Sequence, residues 1–285
     1  MPFFTAAMLL CSGLRGSPLL ARTYLRRSAS SAASGAPTPR RLLLTSSGLT
    51  TPQLEASFQR MLKRAADGGA GSASIAMLVT AQLAPSTSRV TQRDDDGGAL
   101  VVQPSSKRSP GELRRRRWAD ACKKGRELQA RLGVPVKCID CAREQALNDA
   151  RSALSQAGCI WVTGGNTFFL WHSMRASGLS ELVRQRVNDE GALYVGASAG
   201  SIVAGRTIRT ALWKGWDDPE AAGPEADWEA DGAYDALGLV EDASFFPHYD
   251  AASWGGLVDR QRRSLGHACV VLADDGSEVY VEGDS

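Results

Sequence analysis

The stretch Gly196-Ala197-Ser198-Ala199-Gly200 is the part of this sequence best equipped for covalent chemistry. It follows an apolar run, Leu193-Tyr194-Val195, and precedes a helix-like one, Ser201-Ile202-Val203-Ala204. A glycine-x-serine-x-glycine segment between strand and helix is a sharp turn that lifts the serine clear of the sheet's carboxyl edge. Side chains at positions 196 and 200 would collide with neighbouring backbone in such a turn, and glycine tolerates the unusual dihedrals. The following helix aims its first amides at the serine, which favours an anionic intermediate. The implied chemistry is nucleophilic attack by Ser198. A tight turn that merely needs glycines would leave the same trace, so the partners of the serine decide.

A serine nucleophile needs a base, and the chain has three histidines. His172 falls inside an expected helix, and His267 opens the last apolar strand. His248 follows Phe245-Phe246-Pro247 at a strand end, where sheet enzymes place catalytic groups. His248 is therefore the candidate base. It needs an orienting carboxylate. Asp274 and Asp275 both follow the apolar run Ala268–Ala273, and neighbours on a strand point to opposite sides, so one of the two faces the histidine. Gly164-Gly165-Asn166-Thr167 comes directly after another apolar run, Cys159–Val162. Two glycines let backbone amides approach a ligand, and Asn166 can cap the next helix. An amide of Gly164 or Gly165, together with that of Ala199, would make an oxyanion hole.

The elements that must position these groups alternate. Leu42–Thr45, Ser74–Ala81, Val134–Ile139, Cys159–Val162 and Ala192–Gly196 read as strands. Residues 52–66, a segment from near Leu113 to Gly133, and residues 143–156, 167–177 and 180–188 read as helices. Such alternation predicts an α/β fold, a mainly parallel, flavodoxin-like sheet with helices on both faces. Residues 86–111 interrupt it. They are polar and charged apart from the short island Ala99–Val102, and are expected to be a solvated, disordered insertion. The basic run Arg114–Arg117 before Trp118 reads as the solvated first turns of a helix rather than an RNA contact.

Composition narrows the function classes. A net charge of +2 over 285 residues is not that of an electrostatic nucleic-acid binder. No apolar run reaches the roughly 18 residues of a membrane span. Cys138 and Cys141 form one CxxC without a second ligand pair, so they read as packing rather than a metal or redox site. No metal or organic cofactor is implied. Residues 1–41 contain Arg15, Arg22, Arg26, Arg27, Arg40 and Arg41 and no acidic residue. That is the composition of a mitochondrial or plastid transit peptide. The apolar stretch Phe3–Leu10 keeps a secretory signal as a rival, and an addressless disordered extension is the third option. The division expected is residues 1–40 as extension and 41–285 as the catalytic domain.

Several stretches taken in order resemble the dipeptidase E (alpha-aspartyl dipeptidase) family of serine peptidases. They are Leu42-Leu43-Leu44-Thr45-Ser46, Gly164-Gly165-Asn166-Thr167-Phe168, the segment 196–200, Thr207-Ile208-Arg209-Thr210, Pro247-His248-Tyr249 and Asp275-Gly276. The resemblance runs from about Leu42 onward, broken by the insertion at 86–111. It implies a class I glutamine amidotransferase-like fold and a triad of Ser198, His248 and Asp275, because Asp275-Gly276 matches the family's acid-glycine pair better than Asp274 does. The amidotransferases of that fold carry cysteine at the elbow, where this chain has serine, which argues against glutamine hydrolysis. Cyanophycinase is a cousin with the same serine arrangement, but the elbow and the Pro-His-Tyr loop look more like the dipeptidase branch.

The expected activity is cleavage of short peptides, with N-terminal aspartate as one substrate class. An aspartyl side chain would need a cation, and Arg209, Arg260, Arg262 and Arg263 are candidates. The loop Trp213–Asp218 is placed to form a wall or lid. A non-peptide amide or ester hydrolase, or an inactive binding protein of the same fold, would be compatible with the same motifs. Neither a nucleic-acid nor a membrane partner is expected, and monomer and homodimer stay open.

Overall fold

The computed structural model describes the backbone of residues 22–24, 40–85, 89–93, 99–102, 109–274 and 278–282, and the side chains of 40–85 and 109–274. In chain order its strands and α-helices are β1 (Arg22–Tyr24), β2 (Arg41–Thr45), α1 (Pro52–Asp67), β3 (Ser72–Leu78), β4 (Arg89–Arg93), β5 (Ala99–Val102), α2 (Pro110–Leu132), β6 (Val136–Ile139), α3 (Leu147–Gln156), β7 (Ala157–Val162), α4 (Thr167–Ala176), α5 (Leu179–Asn188), β8 (Leu193–Ala197), α6 (Ala199–Ala204), β9 (Ala243–Phe246), α7 (Ala251–Gln261), β10 (Ala268–Val271) and β11 (Glu278–Glu282).

Seven strands form the main sheet in the order β1-β11-β2-β8-β7-β3-β6. The five from β2 to β6 run parallel, and β11 joins β2 antiparallel. Successive side chains on a strand face opposite ways, and the two faces are covered separately. Leu42, Leu44, Ile160, Val162 and Tyr194 pack with buried residues of α3, α4, α5 and α6. Leu43, Ile75, Met77, Trp161 and Val195 pack with Leu54 and Phe58 of α1 and Ala121 and Leu132 of α2. The helices stand on both faces, as the alternation predicts.

Local sequence explains the helix ends. Thr51 caps α1 by accepting from the amide of Leu54, with Pro52 opening the helix. Ser109 and Glu112 form a capping box on α2, and Gly133 closes it in the left-handed conformation.

Two expectations change. The segment 86–111 is not structureless throughout: β4 and β5 pair as an antiparallel hairpin, built on strand formers such as Val90, Thr91, Val101 and Val102. Residues 109–111 belong to the start of α2, because the capping box lies there. Apart from the main sheet, β10 pairs parallel with β9 in a two-stranded sheet. Among the described residues, no helix is long and apolar enough to cross a membrane.

Candidate active site

Three adjacent parallel strands deliver their carboxyl ends to one place. Ser46-Ser47 follow β2, Ser198 follows β8, and Gly164-Gly165 lie just past β7. Ligands bind at such a sheet edge in open α/β folds.

Ser198 sits between the fully buried β8 and the six-residue α6, with φ 52° and ψ −111°. A residue with a Cβ reaches such dihedrals only when its surroundings impose them. The surroundings do so here. A Cβ on Gly196 would lie 2.7 Å from the Gly200 carbonyl oxygen, and one on Gly200 would lie 2.0 Å from the Val162 oxygen. Ser201 Oγ donates to the Thr45 carbonyl at 2.7 Å, and the buried Tyr194 hydroxyl donates to the Gly200 carbonyl at 2.7 Å. The Ser198 amide itself donates to the Thr45 carbonyl at 3.0 Å.

His248, from the loop after β9, brings Nε2 to 2.9 Å from Ser198 Oγ. Its Nδ1 lies 2.7 Å from Asp274 Oδ1. A carboxylate only accepts hydrogen bonds, so Nδ1 carries the proton and Nε2 is free to accept from the serine hydroxyl. Burial alone would raise the Asp274 carboxyl. Hydrogen bonds from Ser47 and His248, and the charges of His248 and Lys214, outweigh burial and hold it below its ordinary value. Ser47 Oγ donates to Asp274 Oδ1 at 2.8 Å. Among the described residues, the carboxylate on the histidine is that of Asp274; the family resemblance pointed to Asp275. Asp275 lies outside the described residues.

The other two histidines are elsewhere. His172 is within α4, and His267 Nε2 lies 2.7 Å from Ser244 Oγ.

Gly164 and Gly165 crowd the nucleophile. A Cβ on Gly164 would sit 2.9 Å from Ser198 Cβ, and one on Gly165, at φ 133°, would sit 2.2 Å from the Ala81 carbonyl oxygen. Among the described residues, no acceptor bonds to the amides of Gly165 or Ala199. Both polar atoms of the Asn166 side chain are held by backbone. Its Oδ1 accepts from the Phe169 amide at 2.8 Å, and its Nδ2 donates to the Asp218 carbonyl at 3.0 Å. It is a helix cap that also straps the loop 213–218, and Asp217 Oδ2 reinforces the strap by accepting from the Thr167 amide at 3.0 Å.

That loop walls the site, as its position between elbow and histidine suggests. Ser198, Ile202, Lys214, Trp216, Phe246 and His248 are among the residues lining a small pocket. The Trp216 ring, 59% exposed, is 6.0 Å from the His248 ring and 5.6 Å from the Trp254 ring. Arg209 does not line the pocket. Its guanidinium stacks 4.2 Å above the Tyr234 ring. The cation at the pocket is Lys214, which the sequence reading did not single out. Nor did it single out Ser46, whose hydroxyl accepts from the His248 amide.

No group of three or more potential metal ligands occurs among the described residues. Burial pushes the thiols of Cys138 and Cys141 up to about 12, so neither is a thiolate at neutral pH.

Similarity to known proteins agrees with this geometry. A family model described as Peptidase family S51 matches residues 114–285. An uncharacterized peptidase of Listeria innocua is 35% identical over 126 residues, which cover 44% of this chain and 55% of that protein. A peptidase E of Shewanella amazonensis is 35% identical over 145 residues, covering 48% and 55%. A Drosophila melanogaster protein described as a probable alpha-aspartyl dipeptidase is 39% identical over 101 residues, covering 35% and 37%. In its match to the first of these, the chain spans about half the length of the relative. Among solved structures, a Listeria monocytogenes EGD-e protein provisionally named peptidase E superposes with a TM-score of 0.54 at 21% identity, over 87% of this chain and 96% of that one. At that identity the likeness speaks for the fold alone. The family match spans more than half of the sequence and includes the elbow, the histidine and the acid loop: the chain belongs to peptidase family S51.

Proposed function

We propose that this chain is a serine-type dipeptidase that hydrolyses short peptides through Ser198, His248 and Asp274. The observation that carries the reading is the unbroken relay of 2.9 Å from Ser198 Oγ to His248 Nε2 and 2.7 Å from His248 Nδ1 to Asp274 Oδ1. Ser198 attacks the peptide carbonyl while His248 takes its proton, and His248 then gives that proton to the leaving amine. Asp274 keeps the imidazole in the tautomer that can accept at Nε2. The amides of Gly165 and Ala199 receive the oxyanion. Water then enters, His248 deprotonates it, and the acyl-enzyme is released as a carboxylic acid.

N-terminal aspartate is the substrate class suggested by the name of the Drosophila melanogaster relative. Profiling the purified chain on a dipeptide library, with Ser198→Ala as control, tests the reading. Release of free amino acids by the wild type and none by the variant is expected. Turnover that survives in the variant overturns it.

An organelle address in residues 1–40 is supported by their acid-free, arginine-rich composition. Fusing this segment to a fluorescent protein tests it: accumulation in mitochondria or plastids is expected, and a diffuse cytosolic signal overturns it.

A further inference from the structure

We propose that Lys214 is a positioning residue for the catalytic histidine: it grips the carbonyls of Pro247 and His248 and so keeps the imidazole on Ser198. This rests on the serine-hydrolase reading above. Lys214 Nζ donates to the Pro247 carbonyl at 2.7 Å and to the His248 carbonyl at 2.6 Å. The same ammonium lies 4.4 Å from the Trp216 ring centroid, 4.4 Å from that of Phe246 and 4.9 Å from that of Trp254. Two charge-assisted hydrogen bonds and three aromatic faces satisfy the cation within the protein, so it has no need of a substrate anion.

The histidine needs such a grip. His248 has φ 53°, a conformation that a side chain with a Cβ keeps only when its neighbours impose it. Each of its polar atoms is tied: the amide to Ser46, the carbonyl to Lys214, Nδ1 to Asp274 and Nε2 to Ser198. Of these partners, Lys214 alone also holds the preceding residue, and it does so with a charge that alkaline pH removes.

Burial lowers the Lys214 ammonium from its ordinary range to about 8, although the Asp274 charge opposes the change. The titratable groups facing it are Asp274, His248, and Asp217 on the same pocket wall. From α7 the contact is the Trp254 ring, while the Asp250 carboxylate caps that helix at Ser253. As pH rises through about 8 the cation is lost, the hydrogen bonds weaken, and the histidine loop loosens.

The test is the rate at which a fluorophosphonate probe labels Ser198 in the full chain, followed from neutral to alkaline pH. Wild-type labelling is expected to fall as pH passes about 8. Lys214→Met is expected to label about tenfold to a hundredfold more slowly at neutral pH, the cost of a small misplacement of a catalytic group, and to lack the alkaline fall. Lys214→Arg, whose guanidinium stays charged, is expected to keep most of the neutral-pH rate and carry it past the wild-type limit. A general loss of folding would slow labelling at every pH without deleting that limb. Wild-type labelling rates in Lys214→Met, or an alkaline fall that persists in it, overturn the role of Lys214 alone. A folded wild-type chain that is not labelled at all overturns the hydrolase reading, and this inference with it.

Discussion

The hydroxyl of Ser46 accepts the amide hydrogen of His248 at 2.8 Å, across 202 positions of sequence. The same hydroxyl donates to the Leu272 carbonyl at 2.7 Å. One small side chain just after β2 therefore joins the loop that carries His248 to the segment that leads to Asp274. Ser46→Ala leaves the partly buried His248 amide without an acceptor, and is expected to cost about 1–3 kcal/mol of stability. Activity should fall as well, because the loop geometry depends on that bond. Urea unfolding together with dipeptide hydrolysis checks both, and a variant unchanged in each removes Ser46 from the device.

The strain at Ser198 predicts a trade of stability against activity. Its φ of 52° suits glycine better than serine. Ser198→Gly is expected to raise the melting temperature, releasing about 1 kcal/mol of local strain, while abolishing turnover. Ser198→Ala should be equally inactive without the gain, since alanine keeps the Cβ. A glycine variant that melts no higher than the alanine variant shows that the turn is unstrained.

His248→Ala and Asp274→Asn should both be severe. In triads the loss of the base rivals the loss of the nucleophile, on the order of a million-fold, and loss of the acid costs about 10⁴-fold. Steady-state kinetics on one dipeptide decide the assignment of the acid. A near-normal Asp274→Asn would move the role to another carboxylate, with Asp275 first in line.

The Asp274 carboxyl also predicts a pH dependence of stability. Its folded value lies below the ordinary one, because the Ser47 and His248 hydrogen bonds overcome the opposing effect of burial. The folded state therefore binds this proton less readily than the unfolded state. The contribution is fully present above the unfolded carboxyl value of about 3.9 and is lost as pH falls through the lower folded value. Thermal melts of the wild type and of Asp274→Asn should differ most near neutrality and converge in acid. A gap that is constant with pH refutes the linkage.

Gly200 predicts a purely steric failure. A Cβ there would lie 2.0 Å from the Val162 carbonyl oxygen, which is backbone and cannot swing aside. Gly200→Ala is expected to cost at least about 3 kcal/mol, read by urea unfolding. A variant of wild-type stability would mean that α6 can shift away from β7.

The sharp turn that carries Ser198 was legible in the sequence because every feature that defines it is local. The strand, the two glycines, the serine and the following helix occupy twelve consecutive positions, Leu193 to Ala204, and their order alone specifies a sharp turn at a sheet edge. The helices on both faces were legible for the same reason, since uninterrupted apolar strands such as Leu42–Leu44 must be covered on two sides. That His248 stands just past a strand end was legible as well.

What the tertiary structure decided is how distant segments meet. Asp274 comes to the His248 ring across 26 positions of sequence, from the segment that follows β10, which pairs with β9 just before His248. Arg209 sits in a family-like stretch, yet its guanidinium is taken up by Tyr234. Lys214 and Ser46 carry no motif of their own. Their roles come from contacts 34 and 202 positions away, and a hydrogen bond formed across such separations leaves no periodicity or spacing in the sequence from which it can be read.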